Sequence, residues 1–232
     1  MNADHFTTGA SLRNRFLELE NERKRSWAPE ALAVNVNQRA ALVAGHGLQP
    51  HVVVGDTLPP ASLATVDGHT ITLDELSAQG PAVLVFFRFA GCPACNIALP
   101  HYRDTLWPAL RAAHIPLVAI SPQPPALLKE IVSRHDLPFP VATDSNLALS
   151  RALGITYVFD APSRSAAQAK GGTSHGLNGT DAWELPTPAV IVIGPGRIVQ
   201  CADISPDWMD RTETPAILSA LGLPIKESLH AV

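Results

Sequence analysis

Cysteine is scarce in this chain, with three in 232 residues. Three thiols cannot build a disulfide framework, so any close pair reads as chemistry rather than as a staple. Charge is sparse as well: charged residues make up 16%, the net charge is −4, and no long block of one sign occurs. That excludes the broad basic surface of a nucleic-acid binder. The one basic cluster, Arg23-Lys24-Arg25, is interleaved with Glu18, Glu20 and Glu22 and reads as a solvated helix face. No apolar run approaches the ~20 residues of a membrane span, and the opening stretch MNADHFTTGASLRNRF has no signal-peptide core. The expectation is a cytoplasmic protein with no membrane contact, in a compartment that keeps thiols reduced. Apolar residues are plentiful, at 46%, enough for a packed core.

Leu12, Phe16 and Leu19 share one face of a helix over 11–26, which Trp27-Ala28-Pro29 breaks. A second helix follows from Pro29 to about Ala44, ended by Gly45 and Gly47. Residues 1–50 thus form an N-terminal helical extension that docks on the main domain or on a second subunit. From residue 51 the pattern changes to a hairpin around Asp67-Gly68 and a short helix capped by Thr72 and Glu75. Three continuous apolar runs, AVLVFF (82–87), PLVAI (116–120) and AVIVI (189–193), suit strands covered on both faces. The helix-length segment 93–114 makes the first two a βαβ unit with a parallel pair. PPALLKEIVSRHDL predicts another helix, FPVATD a strand and SNLALSRALGI a helix. Residues 160–184, rich in Ser, Gly and Ala, read as a long surface loop. GRIVQCADI closes a hairpin with AVIVI, and a last helix is predicted over 207–223. The fold class is α/β, a mixed central sheet flanked by helices over 51–224, with a short C-terminal tail at 225–232.

Within VLVFFRFAGCPACNIALP, Cys92 and Cys95 follow a buried-type strand and open a helix. A cysteine in a first helical turn meets unpaired N–H groups and the positive end of the dipole, both of which favour thiolate. A second cysteine three positions on can reach the first sulfur. Pro93 stiffens the intervening loop. The arrangement suits a dithiol that cycles to a disulfide. A buried inert pair and a zinc site stand as alternatives; for zinc, Cys201 and His101 are the nearest further ligands, and no second CxxC exists.

The segments FFRFAGCPACNIALP, IPLVAISPQ, LPFPVATDSNLALSRALGI and DAWELPTPAVIVI together resemble the thioredoxin fold. They are most similar to its peroxiredoxin-like branch, the alkyl hydroperoxide reductase and thiol-specific antioxidant superfamily. The resemblance implies a helix-kinking proline at Pro100. It also implies a cis-proline at Pro188, after Thr187, facing the dithiol. Trp183 and Glu184 belong to the family-like WELP stretch and would border the site. The family's Pro-x-x-x-Thr-x-x-Cys motif, laid on this chain, puts the peroxidatic cysteine at Cys95, Cys92 in the threonine position and Arg88 in the proline position. Thioredoxin's buried aspartate falls at Phe86. Arg88, near the mouth of the dithiol loop, would favour thiolate and offer hydrogen bonds to an oxygen; an arginine snorkelling at a strand end is the other reading.

The dithiol and the resemblance together imply a thiol-dependent oxidoreductase using Cys92 and Cys95, with no metal or organic cofactor. In the peroxiredoxin reading Cys95 becomes a sulfenic acid and Cys92 condenses with it. In the thioredoxin reading Cys92, the more exposed thiol, attacks a protein disulfide and Cys95 resolves. A non-catalytic redox sensor or interaction module is the third reading. The substrate would be a hydroperoxide or a disulfide, the reductant of thioredoxin or glutathione type, and a homo-oligomer is a possible assembly. Cys201, in the predicted closing strand, reads as packed and unreactive.

Overall fold

The computed structural model describes residues 11–225, so nearly all of the expected tail lies outside the described residues. Helix α1 (Leu12–Ser26) begins on Ser11, whose side chain accepts the Asn14 N–H. Glu213 takes the Leu12 and Arg13 N–H groups at 3.2 and 2.9 Å. These are donors a helix start leaves without partners, and here a residue from the far end of the chain satisfies them. Pro29 occupies the first turn of α2 (Pro29–Gly45).

Strands β1 (Ser62–Thr65) and β2 (Thr70–Thr72) form the expected hairpin, with Gly68 at φ +92° in its turn. Thr72 and Glu75 close a reciprocal capping box on α3 (Leu73–Ser77). Every residue of β3 (Ala82–Phe86) is buried. The single helix expected over 93–114 is two, α4 (Cys95–Thr105) and α5 (Trp107–Ala112). Pro108 supplies no backbone donor and disfavours helical continuation through the residues before it, so the chain breaks at Leu106. Then come β4 (Leu117–Ser121), α6 (Pro125–His135), β5 (Val141–Thr143) and α7 (Ala148–Ala152). Strands β3 and β4 pair in parallel, as the βαβ unit implied, β5 pairs in parallel with β4, and the third apolar run, 189–193, lies antiparallel to β3.

The expected loop over 160–184 is largely structured. After β6 (Thr156–Val158) come α8 (Ala161–Gln168), α9 (Ser174–Asn178) and β7 (Glu184–Pro186), which pairs antiparallel with β6. Its polar residues are caps rather than loop filler: Asp160 and Thr173 accept the N–H groups of Ser163 and Gly176. Strands β8 (Ala189–Gly194) and β9 (Ile198–Ile204) close the main sheet, whose order is β2-β1-β5-β4-β3-β8-β9. The last helix, α10 (Thr214–Ala220), is shorter than expected, because Ser205–Glu213 folds instead as a loop across the sheet's end.

One core fills each face of the sheet. The face carrying the cysteines also buries Leu12 and Phe16 of α1, fully and almost fully, against the same cluster as Val83, Cys92 and Trp208. Each such side chain contributes about 1.5–3 kcal/mol relative to exposure. The extension is therefore a structural part of this face. The other face packs Leu84, Phe86, Ile120 and Ile191.

Candidate active site

Between β3 and α4 the chain is held by a set of specific hydrogen bonds. Ser121 at the end of β4 donates to the Arg88 carbonyl at 3.0 Å, and Gln123 accepts the Ala90 N–H at 2.8 Å. Asn96 reaches back with its side-chain amide to the Ala90 and Cys92 carbonyls at 2.7 and 2.8 Å. A loop pinned at this many points presents its sulfurs in one geometry.

Cys95 opens α4 and Cys92 stands in the turn before it. The expectation that Cys92 is the more exposed thiol is not met: both cysteines have 0% exposure. Loop Ser205–Glu213 and the extension cover the helix start that local sequence left open. The Cys95 N–H donates to Cys92 Sγ at 3.4 Å, and Arg88 Nη1 lies 4.0 Å from the same sulfur. Burial pushes the Cys92 thiol up. The hydrogen bond from the Cys95 thiol, the guanidinium groups of Arg88 and Arg211 and the Cys95 N–H more than offset that, bringing it down to about 5. Burial, with the hydrogen bond and charge of Cys92, drives Cys95 the opposite way, well above the ordinary range. The two thiols are coupled, and the positive groups around Cys92 favour the thiolate there.

Arg88 is buried rather than snorkelling to solvent. Its guanidinium lies over the rings of Trp208, Phe89, Tyr157 and Phe159, at 4.5, 5.5, 5.8 and 5.8 Å. Such contacts hold a desolvated cation in place. Trp208 also carries Arg23 and Arg39 of the extension, at 5.7 and 5.8 Å. Arg23 was expected on a solvated face; it is instead 4% exposed, with Nη1 3.4 Å from Met209 Sδ. Arg39 binds Asp207 with both fork nitrogens, at 2.7 and 2.8 Å. Helices α1 and α2 thereby clamp the loop that covers the dithiol.

Arg211, on that loop, is also buried. Its Nη1 donates to the Asp210 carbonyl at 2.9 Å, while Nη2 has no hydrogen-bond partner. Beside it a cavity of about 10 Å³ is lined by Cys95, Tyr102, Ser205, Arg211 and Thr212, among others. Nothing in local sequence marked Arg211, Trp208, Tyr157 or Arg23, because none shares a motif or an element with the cysteines.

The remaining expected residues are spread more widely. Pro93 is exposed on the turn between the cysteines, and Pro100 lies inside α4. Pro188 is buried but not cis: no peptide bond among the described residues is cis. The trans linkage fits its surroundings, where Ile155 accepts the Thr187 N–H at 2.6 Å and the Pro188 carbonyl accepts from Ser205 at 2.8 Å. Thr187 lines a separate groove with Tyr157 and the end of α2. Trp183 packs on Phe159, one ring removed from Arg88, whereas Glu184 turns away to Arg151 at 2.6 Å. Phe86 is buried in the opposite core. Cys201 sits in β9, its thiol raised by burial and by Asp203. Among the described residues no group of three or more His, Cys, Asp or Glu could hold a metal ion, and no helix is long and apolar enough to cross a membrane.

The family model described as the AhpC/TSA family matches residues 54–202, more than half of the chain. The chain belongs to the AhpC/TSA family. This agrees with the peroxiredoxin-like resemblance of its sequence. Among solved structures, it is similar to peroxidoxin BcpB from Mycobacterium tuberculosis, at 22% identity over 74% of this chain and 96% of that one, TM-score 0.56. It is also similar to reduced Prx3 in complex with hydrogen peroxide from Vibrio vulnificus, at 20% identity over 73% and 99%, TM-score 0.58. These likenesses establish the fold. A curated relative, the thiol-disulfide oxidoreductase ResA of Halalkalibacterium halodurans, is 31% identical over 96 residues, 40% of this chain. The chain spans about half the length, 52%, of that relative.

Proposed function

We propose that this AhpC/TSA chain is a peroxiredoxin-like, thiol-dependent oxidoreductase in which Cys92 attacks and Cys95 resolves. The observation that carries the reading is the environment of Cys92 Sγ, which takes the Cys95 N–H at 3.4 Å and has Arg88 Nη1 at 4.0 Å. The resemblance alone would give the attack to Cys95, but the positive groups gather on Cys92. Complete burial of both thiols favours a small hydroperoxide over a protein disulfide as the oxidant.

Atoms and electrons balance over the cycle. Cys92 thiolate attacks the terminal peroxide oxygen, the O–O bond breaks, and the alkoxide or hydroxide takes a proton to leave as alcohol or water. Cys92 is now a sulfenic acid. Cys95 attacks its sulfur, the S–O bond breaks, and hydroxide leaves with the Cys95 proton as water. A thioredoxin-type dithiol, or two molecules of a glutathione-type monothiol, then reduces the Cys92–Cys95 disulfide and is itself oxidised to a disulfide, which suits a reducing, cytoplasmic setting.

The test is stopped-flow oxidation of the reduced protein by hydrogen peroxide and by an organic hydroperoxide, with mass spectrometry of the product. Cys95→Ser should oxidise quickly and accumulate sulfenate on Cys92, and Cys92→Ser should react slowly. Fast oxidation of Cys92→Ser with sulfenate on Cys95 would return the attack to Cys95. A second reading, reduction of protein disulfides by Cys92, has support from the likeness to a thiol-disulfide oxidoreductase. It gains ground if wild type reacts slowly with every peroxide.

A further inference from the structure

We propose that Arg211 is the positioning residue of the second step: with Thr212 it shares the lining of a water-sized cavity with Cys95 and readies that thiol to condense with oxidised Cys92. The choice of oxidant rests on the peroxidase reading above; the role of Arg211 toward Cys95 does not.

Three observations carry the inference. First, Cys95, Arg211 and Thr212 all line one cavity of about 10 Å³, which is room for about one water molecule. Second, Arg211 Nη2 and Thr212 Oγ1 are buried with no hydrogen-bond partner, in residues 8% and 5% exposed. Buried polar atoms without partners cost about 1–3 kcal/mol each, and here two belong to residues that line the same cavity as the thiol. Third, Arg211 is held in place by its guanidinium 5.8 Å over the Phe16 ring and by Nη1 on the Asp210 carbonyl.

The chemistry of the second step explains the need. Cys95 must give up its proton to attack Cys92, yet burial and the neighbouring sulfur hold it in the thiol form. The charged and titratable groups around Cys95 are Cys92 and Arg88 from the dithiol loop, Tyr102 from α4, Tyr157 from β6 and Arg211 from the covering loop. Both tyrosines are held neutral by burial. After peroxide has consumed the Cys92 thiolate, the two guanidinium groups remain, and Arg211 is the one that shares the cavity lining with Cys95. A fixed positive charge there stabilises Cys95 thiolate while the S–S bond forms. The proton it gives up ends on the hydroxide expelled from Cys92.

The experiment compares full-length wild type, Arg211→Met and Arg211→Lys in single-turnover oxidation by hydrogen peroxide. Sulfenate is trapped with dimedone, and its conversion to disulfide is timed from pH 5 to 9. Arg211→Met should slow conversion to disulfide about tenfold more than sulfenate formation. Its conversion profile should move to higher pH, and Arg211→Lys should recover most of the rate. Equal loss in both steps, or an unchanged conversion profile, overturns the proposal. Independently, thiolate absorbance at 240 nm is titrated in Cys92→Ser and in Cys92→Ser/Arg211→Met. Cys95 should titrate at higher pH in the double variant, and coincident curves again overturn the proposal. If wild type ignores peroxide, the peroxidase reading fails by itself. The two steps are then timed with the small disulfide DTNB, where Arg211→Met should accumulate mixed disulfide on Cys92.

Discussion

Arg88 Nη1 stands 4.0 Å from Cys92 Sγ, four positions along the same loop, with the indole of Trp208 4.5 Å from its guanidinium carbon. The cation cannot swing away from the sulfur without leaving that ring. A charge fixed at this distance in a buried site acts far more strongly than the same pair in water.

The first consequence is an acidic thiol. In wild type, alkylation by iodoacetamide should rise with pH around an inflection near 5, where Cys92 ionises. In Arg88→Met the inflection should move up, leaving about tenfold less thiolate at pH 7. Because the folded pKa lies below the unfolded one, ionisation of Cys92 adds stability to the reduced protein above the unfolded value of ~8.5. That stability is lost as the pH falls toward about 5. An iodoacetamide profile unaffected by Arg88→Met would remove Arg88 from the site.

Trp208 joins both halves of the structure, being 3% exposed and in contact with Arg23, Arg39 and Arg88. Trp208→Ala should destabilise the protein by about 3–5 kcal/mol in urea unfolding, the cost of removing a large buried ring. Trp208→Phe, which keeps a ring beneath the cations, should recover more than half of it. Equal losses in the two variants would mean that the ring contacts with arginine carry no weight.

The Arg39–Asp207 pair ties α2 to the covering loop and remains partly exposed, with side-chain exposures of 14% and 28%. Asp207→Asn should therefore cost no more than about 1 kcal/mol of stability. Labelling of the two buried thiols by a bulky maleimide should nevertheless quicken several-fold, since the loop opens more often. Unchanged labelling would show that the loop is held by its apolar contacts alone.

His101 lies buried on α4 with Nδ1 unpartnered, and burial, helped by the charge of Arg15, brings its pKa down to about 4. The unfolded chain takes up this proton near pH 6.5, before the folded one does. Stability should then fall as the pH drops from about 6.5 to about 4. His101→Phe should flatten that part of the Tm–pH curve. A curve of unchanged slope would assign the acid sensitivity to other groups.

Much of the molecule was legible because its signals are local. The period of apolar residues marked α1 and α2, and uninterrupted runs marked β3, β4 and β8. A strand, a short loop and CPAC at a helix start announced a dithiol before any contact was known. Where sequence reading failed, it failed on composition: the Ser- and Gly-rich stretch over 160–184 looked like loop, yet Asp160 and Thr173 are helix caps. The same polar residues serve either purpose, and only their partners decide which. Arg23 misled for a related reason, since its neighbours in sequence are charged and solvated while its neighbours in space are Trp27, Trp208 and Met209.

The sequence by itself determined the central strands, the parallel β3–β4 pair and the close pair of cysteines, because each depends on residues a few positions apart. The tertiary structure decided which sulfur the positive groups favour as thiolate. That choice rests on Arg88, on Arg211 from a loop more than a hundred residues away, and on the burial of both thiols in a core that Leu12 and Phe16 of the extension join. Electrostatic effects of this kind depend on distance and burial in space, and those exist only once the chain has folded.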